Sequence, residues 1–71
     1  MDATYMAQKL VGLRGKKTQK EVAEAVKISK SALGMYEKGK RIPRDEIKMR
    51  IANYYGKSVG FIFFNPNCHE K

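Results

Sequence analysis

The sequence predicts an all-α fold, a compact bundle of about five short helices. Three observations carry this. Apolar residues recur at spacings of three and four along most of the chain, as one face of a helix requires. Cap residues and glycines punctuate the pattern at intervals of about ten residues. No segment of 71 residues shows the strict alternation of a half-buried strand, and there is no internal repeat or low-complexity run.

The elements follow in order. Met6, Leu10 and Leu13 share a face, so a first amphipathic helix runs from about Ala3 to Leu13. Gly15, with Lys16 and Lys17, ends it. Thr18-Gln19-Lys20-Glu21 reads as a capping box. The Thr18 hydroxyl can accept from the third backbone N–H while the Glu21 carboxylate reaches back to the Thr18 amide. Val22 and Val26 lie on one side of the second helix, about Gln19 to Val26. Lys27-Ile28-Ser29 is a tight connection, and Ser29 is a good N-cap. The third helix spans about Lys30 to Lys38 and buries Leu33 and Tyr36. Gly39 sits where a positive φ is needed to stop it. Pro43 and Asp45 open a fourth helix with Ile47, Ile51 and Tyr55 on one face, and Gly56 closes it. Ser58 caps a last short helix holding Val59, Ile62 and Phe63. Asn65-Pro66-Asn67 begins a tail. The expected organisation is one domain over residues 3–64 and a short C-terminal tail over residues 65–71.

Composition bounds the function. A single domain of this size buries only about 60% of its unfolded surface, which argues against a deep active-site cavity. No apolar run reaches about 18 residues, so no membrane span is expected. The N-terminus lacks a basic segment followed by an apolar stretch. Cys68 is the only cysteine, which excludes an internal disulfide and fits a reducing cytoplasm. Cys68 and His69 fall far short of a four-ligand zinc set, so no metal and no cofactor are expected. The only histidine lies in that tail, so no nucleophile–histidine triad can be composed. There is no phosphate-cradling glycine loop and no evident small-molecule site. The chain is not expected to be an enzyme.

Fifteen Lys plus Arg against seven Asp plus Glu leave a net charge of +8. An excess of this size on a small body favours an anionic partner. Composition alone leaves nucleic acid, anionic lipid and an acidic protein open, beside a merely solubilising surface. From Gly60 onward only Glu70 and Lys71 are charged, so nearly all the excess precedes that point.

The pair of short helices over Thr18 to Pro43 narrows the choice. Two helices joined by a three-residue turn cross steeply and let the second protrude. The crossing needs a small residue, and Ala23 supplies it. The inside needs an apolar seal, and Val22, Val26, Ile28, Leu33 and Tyr36 supply it. The protruding face must be polar and small, as Lys30, Ser31 and Gly34 are. A helix is narrow enough to enter the major groove of duplex DNA, where base edges are chemically distinct.

The run "LRGKKTQKEVAEAVKISKSALGMYEKGKRIP", followed by "IANYYGKSV", resembles the xenobiotic-response-element/Cro family of helix-turn-helix transcriptional regulators, the lambda repressor-like domains. The likeness covers about residues 6 to 63. Thr18-Gln19, Ala23, Ile28-Ser29, Glu37-x-Gly39, Pro43 and Ile51-Ala52 stand at the family's spacing. The resemblance implies a lambda repressor-like fold that binds double-stranded DNA. It implies base contacts by Lys30, Ser31 and Met35, with Gly34 on the same face. It implies phosphate contacts by Thr18, Gln19, Ser29, Lys38, Lys40 and Arg41, with Gln19 also bracing the residue at position 30. Arg14 is implied to pair with Glu37 beneath the third helix. A homodimer on an operator with two-fold symmetry is implied as well.

The chain departs from the family at three places. Lys27 stands where many members have glycine; a left-handed lysine there would cost roughly 1 kcal/mol. The loop between Arg14 and Thr18 is shorter than in many members. Gly60 and Phe61 replace residues that are often acidic. Bland readings remain beside the functional ones: Met35 can be a gap-filling core residue, Gly34 can be merely tolerated, and Tyr36 fits the core better than an interface.

The expected function is a sequence-specific DNA-binding regulator, a repressor acting as a homodimer. The alternatives are the antitoxin of a toxin–antitoxin pair and a protein-interaction module with a basic face. For the dimer surface, the charge-poor stretch Ser58 to Cys68 holds Phe61, Ile62, Phe63 and Phe64 in a row. Successive helical residues point about 100° apart, so they cannot all face inward. Ile62, with Val59, is expected to face the bundle, leaving Phe61 or Phe64 outward as the dimer interface.

Overall fold

The computed structural model describes residues 3–64. The tail expected over residues 65–71, with Cys68 and His69, lies outside the described residues. Five helices follow one another: α1 (Ala3–Arg14), α2 (Gln19–Val26), α3 (Lys30–Glu37), α4 (Asp45–Tyr55) and α5 (Val59–Phe63). Among the described residues there is no strand. The bundle is all-α, as the sequence predicts, with end-point differences of one residue. The first helix runs on to Arg14, and the third stops at Glu37 because Lys38 serves as its cap.

The caps explain the boundaries. Thr18 Oγ1 accepts from the Glu21 amide at 3.0 Å, and Glu21 Oε1 accepts from the Thr18 amide at 3.0 Å. Ser29 and Ser58 cap α3 and α5 in the same way, each Oγ accepting from the third amide of its helix at 3.0 Å. At the C-termini of α2, α3 and α4 the chain turns through a left-handed residue: Lys27, Gly39 and Gly56. Each end closes with the paired bonds of a Schellman motif. Ile28 N donates to Ala23 O and Lys27 N to Glu24 O; Lys40 N donates to Met35 O and Gly39 N to Tyr36 O; Lys57 N donates to Ala52 O and Gly56 N to Asn53 O. Gly39 is required twice over. Its φ is +73°, and a Cβ there would stand 3.1 Å from the carbonyl oxygen of Ala3.

The core has two parts. Met6, Leu10, Val26, Tyr36, Ile51, Ala52, Ile62 and Phe63 join α1, α4 and α5 to the inner side of the α2–α3 pair. Val22, Ala23 and Leu33 form a smaller cluster within that pair. Ile28, Tyr54 and Tyr55 pack against both clusters. Burying a side chain such as Leu33 or Ile51 stabilises by about 1.5–3 kcal/mol. An isolated eight-residue helix frays in water, so this packing is what keeps α3 helical.

Candidate nucleic-acid interface

The turn between α2 and α3 begins at Lys27, with φ 63° and ψ 48°. Its Schellman bonds and the half-buried Ile28 hold this strained lysine in place. Ala23, 2% exposed, gives α3 the room to cross α2. Leu33, Tyr36 and Glu37 then face inward, and the opposite side of α3 is turned to solvent.

That outward side forms a shallow open depression lined by Gln19, Ser29, Lys30, Ser31, Ala32, Gly34, Met35, Lys38 and Arg41. Lys30, Ser31 and Met35 are exposed and Gly34 is half-buried. Met35 is therefore not a core residue. A Cβ on Gly34 would come no nearer than 3.9 Å to the Gln19 side-chain amide, so internal packing does not demand glycine there. Lys38, Lys40 and Arg41 are exposed on the loop after α3. Among the described residues no carboxylate lines the depression, so lysine, arginine and small polar groups set its electrostatic character there.

The one acid on α3 is neutralised beneath this surface. The Glu37 side chain is only 3% exposed, and its Oε2 accepts from Arg14 Nε at 2.8 Å. Its Oε1 accepts from Gln19 Nε2 at 2.9 Å. Arg14 in turn donates to the Lys17 carbonyl at 2.7 Å, which ties the loop before α2 into the network. The Arg14–Glu37 pair is present across the short loop. The expected brace from Gln19 to Lys30 is not: the Gln19 amide bonds to Glu37. The buried Glu37 carboxylate needs donors, and the Gln19 Nε2 group supplies one of them.

Tyr55 forms part of this surround and was read from the sequence only as a residue on the apolar face of its helix. Its hydroxyl is buried without a hydrogen-bond partner among the described residues. Burial, and then the Glu37 carboxylate, push its pKa up to about 12, so it stays protonated and adds no negative charge near the depression. Tyr54 meets its ring edge-on at 5.1 Å between centroids. A run of adjacent tyrosines gives no sequence signal for such a position.

Thr18 and Ser29 are exposed, but both side-chain oxygens accept cap bonds, and the Thr18 amide is taken by Glu21. What each retains for an outside acceptor is its hydroxyl proton.

A second surface lies on α5. Ile62 and Phe63 are buried at 0% and 1%, whereas Phe61 and Phe64 are exposed at 42% and 54%. The expected inward turn of Ile62 is found; Val59 is only half-buried, and Phe63 provides the larger anchor. Both outer rings are flanked by cations. Lys9 Nζ stands 4.2 Å from the Phe61 ring centroid, Lys57 Nζ 5.3 Å from the same ring, and Lys48 Nζ 5.4 Å from that of Phe64.

No helix among the described residues is long and apolar enough to cross a membrane. No curated protein and no solved structure matches the chain. The helix-turn-helix family model matches residues 8–62, a span that contains α2, the turn, α3 and most of the bundle that supports them. With that match over most of its length, the chain belongs to the helix-turn-helix family of DNA-binding regulatory domains, of the xenobiotic-response-element/lambda repressor-like kind.

Proposed function

We propose that residues 3–64 act as one sequence-specific DNA-binding domain, and that the chain is a transcriptional repressor working as a homodimer on a two-fold operator. The observation that carries this is the outward face of α3: small, polar, rimmed by cations, with its one carboxylate buried against Arg14. In this reading α3 enters the major groove. Lys30, Ser31 and Met35 meet base edges, and Gly34 lets the backbone come close. A lysine can reach guanine O6 and N7, and a methionine can pack on a thymine methyl. Thr18, Gln19, Ser29, Lys38, Lys40 and Arg41 bind phosphates and set the register. One helix reads only a few base pairs, which supports two-fold pairing. The exposed Phe61 and Phe64 supply an apolar face for it.

The test is a titration of duplex DNA at several salt concentrations. Affinity should fall with a log–log slope of about −0.9 per phosphate neutralised. Lys40→Ala and Arg41→Ala should each weaken all sequences alike and flatten that slope by about one unit. Binding that ignores salt would refute the reading. Selection from a random duplex pool should yield a two-fold-related motif.

A further inference from the structure

The bond between Gln19 and Glu37 fixes the orientation of an amide on the outward face. The Glu37 side chain is 3% exposed and paired with Arg14, and an ionised carboxylate only accepts. The group that Gln19 turns toward Glu37 Oε1, at 2.9 Å, is therefore its NH2. An amide is planar, so turning the NH2 to the acid sends the carbonyl oxygen in another direction. Gln19 Oε1 accepts from no group among the described residues, and it is not buried. It lies at the depression, close to Gly34: a Cβ added to Gly34 would stand 3.9 Å from it. A long side chain at position 34 would cover the amide. Glycine, which weakens a helix interior, leaves it open.

Phosphate oxygens are acceptors, so Gln19 Oε1 gains nothing from the backbone of a duplex. In the major groove the donors are the exocyclic amines, adenine N6 and cytosine N4, whereas guanine and thymine present acceptors there. The Lys30 ammonium, its expected partner, makes no bond to it in the free domain.

We infer that Gln19 reads a base: its Oε1, aimed by Glu37, accepts from the exocyclic amine of an adenine or cytosine facing α3. The inference rests on the major-groove reading of α3 above. The second N–H of Gln19 stays available for phosphate. Glu37 is then a positioning residue, which holds the amide with its carbonyl toward the DNA. A guanine or thymine at the paired position sets acceptor against acceptor and is disfavoured.

The experiment varies the selected operator to all four bases at each position and measures Kd for the full chain by fluorescence anisotropy. At one position in each half-site the wild type should favour adenine or cytosine by about 5- to 100-fold. Gln19→Lys separates the two roles of this side chain. Lysine keeps a donor for Glu37 and adds a cation, so affinity for random duplex should rise. It has no acceptor, so the preference at that position should shrink to within about twofold. Melting by circular dichroism checks that the variant is folded; if it is not, Gln19→Met removes both amide groups and should relax the same position. A base analogue without the amine, purine for adenine or 2-pyrimidinone for cytosine, should cost the wild type most of that factor and Gln19→Lys little. Lys30→Ala should relax a different position. Gln19→Lys with every wild-type preference intact would make Gln19 a phosphate anchor alone. Relaxation of the same position by Lys30→Ala would make Gln19 a brace for Lys30. Either result, or a Gln19-dependent position that favours guanine or thymine, overturns the inference and leaves the DNA reading standing. A wild-type chain with no base preference at any position overturns sequence-specific reading as well.

Discussion

Replacing Glu37 with alanine should lower the stability of the free protein by about 2–4 kcal/mol, with no DNA present. The Glu37 carboxylate is 3% exposed and accepts from Arg14 at 2.8 Å and from Gln19 at 2.9 Å. Breaking a fully buried ion pair costs about 3–5 kcal/mol, because a charge is left without compensation. Here the penalty is partly relieved. The Arg14 side chain is 21% exposed and keeps its bond to the Lys17 carbonyl, so it can turn toward water. The loss is then two hydrogen bonds involving a charge and the void left by the side chain. A chain of this size has about 4–10 kcal/mol in hand, and each kcal/mol moves Tm by about 4–8 °C. The expected fall is thus roughly 8–32 °C by thermal melting, checked by urea titration. Glu37→Gln keeps an acceptor but turns an NH2 group toward one of the two donors, so it should also destabilise, by about 1–3 kcal/mol. In an Arg14→Ala background Glu37→Ala should cost less, and the cycle should return a coupling of about 0.5–3 kcal/mol. A Tm within about 4 °C of wild type and zero coupling would refute the argument that this buried acid joins α1, α2 and α3.

Three further outcomes follow from particular residues. Lys27→Gly should raise stability by up to about 1 kcal/mol, because glycine adopts the left-handed conformation without the Cβ clash; a lower Tm would show that the lysine stem contributes more than its strain costs. Tyr55→Phe should be neutral or stabilising at neutral pH, since it removes a buried hydroxyl that has no partner. In the wild type, the raised Tyr55 pKa contributes stability that is fully present below about pH 10 and lost as pH rises toward about 12. Allowing for a half-buried ring, that is about 1 kcal/mol, and denaturant titrations across this window should show a shallower decline in the phenylalanine variant. Lys30→Ala should cost about 1–3 kcal/mol on the selected operator and relax one base position; equal losses on operator and random duplex would make Lys30 a phosphate contact.

The sequence by itself determined the helices and their ends. A cap is a contract among residues three to five apart: Thr18 with Glu21, Ser29 with Ala32, Gly39 with Tyr36. Such bonds depend on local geometry alone, so the residue types in order were enough. The protruding face of α3 was legible for the same reason, since helical periodicity separates Leu33 and Tyr36 from Lys30, Ser31 and Gly34. The strained turn at Lys27 was raised only by the family resemblance, in which many members carry glycine at that position. Tertiary structure decided the rest. Gln19 bonds to Glu37 across 18 positions, and the need of that carboxylate for a second donor can be judged only once its burial is known. The partnerless Tyr55 hydroxyl depends on how α4 docks. In the run Phe61 to Phe64, periodicity requires that some side chain be left outside; the docking of α5 against α1 and α4 chose Ile62 and Phe63 for the core. The same docking gathered Lys9, Lys48 and Lys57, from three separate segments, around the two rings left out. Those pairings join residues far apart in the chain, and nothing local encodes which distant side chain will arrive.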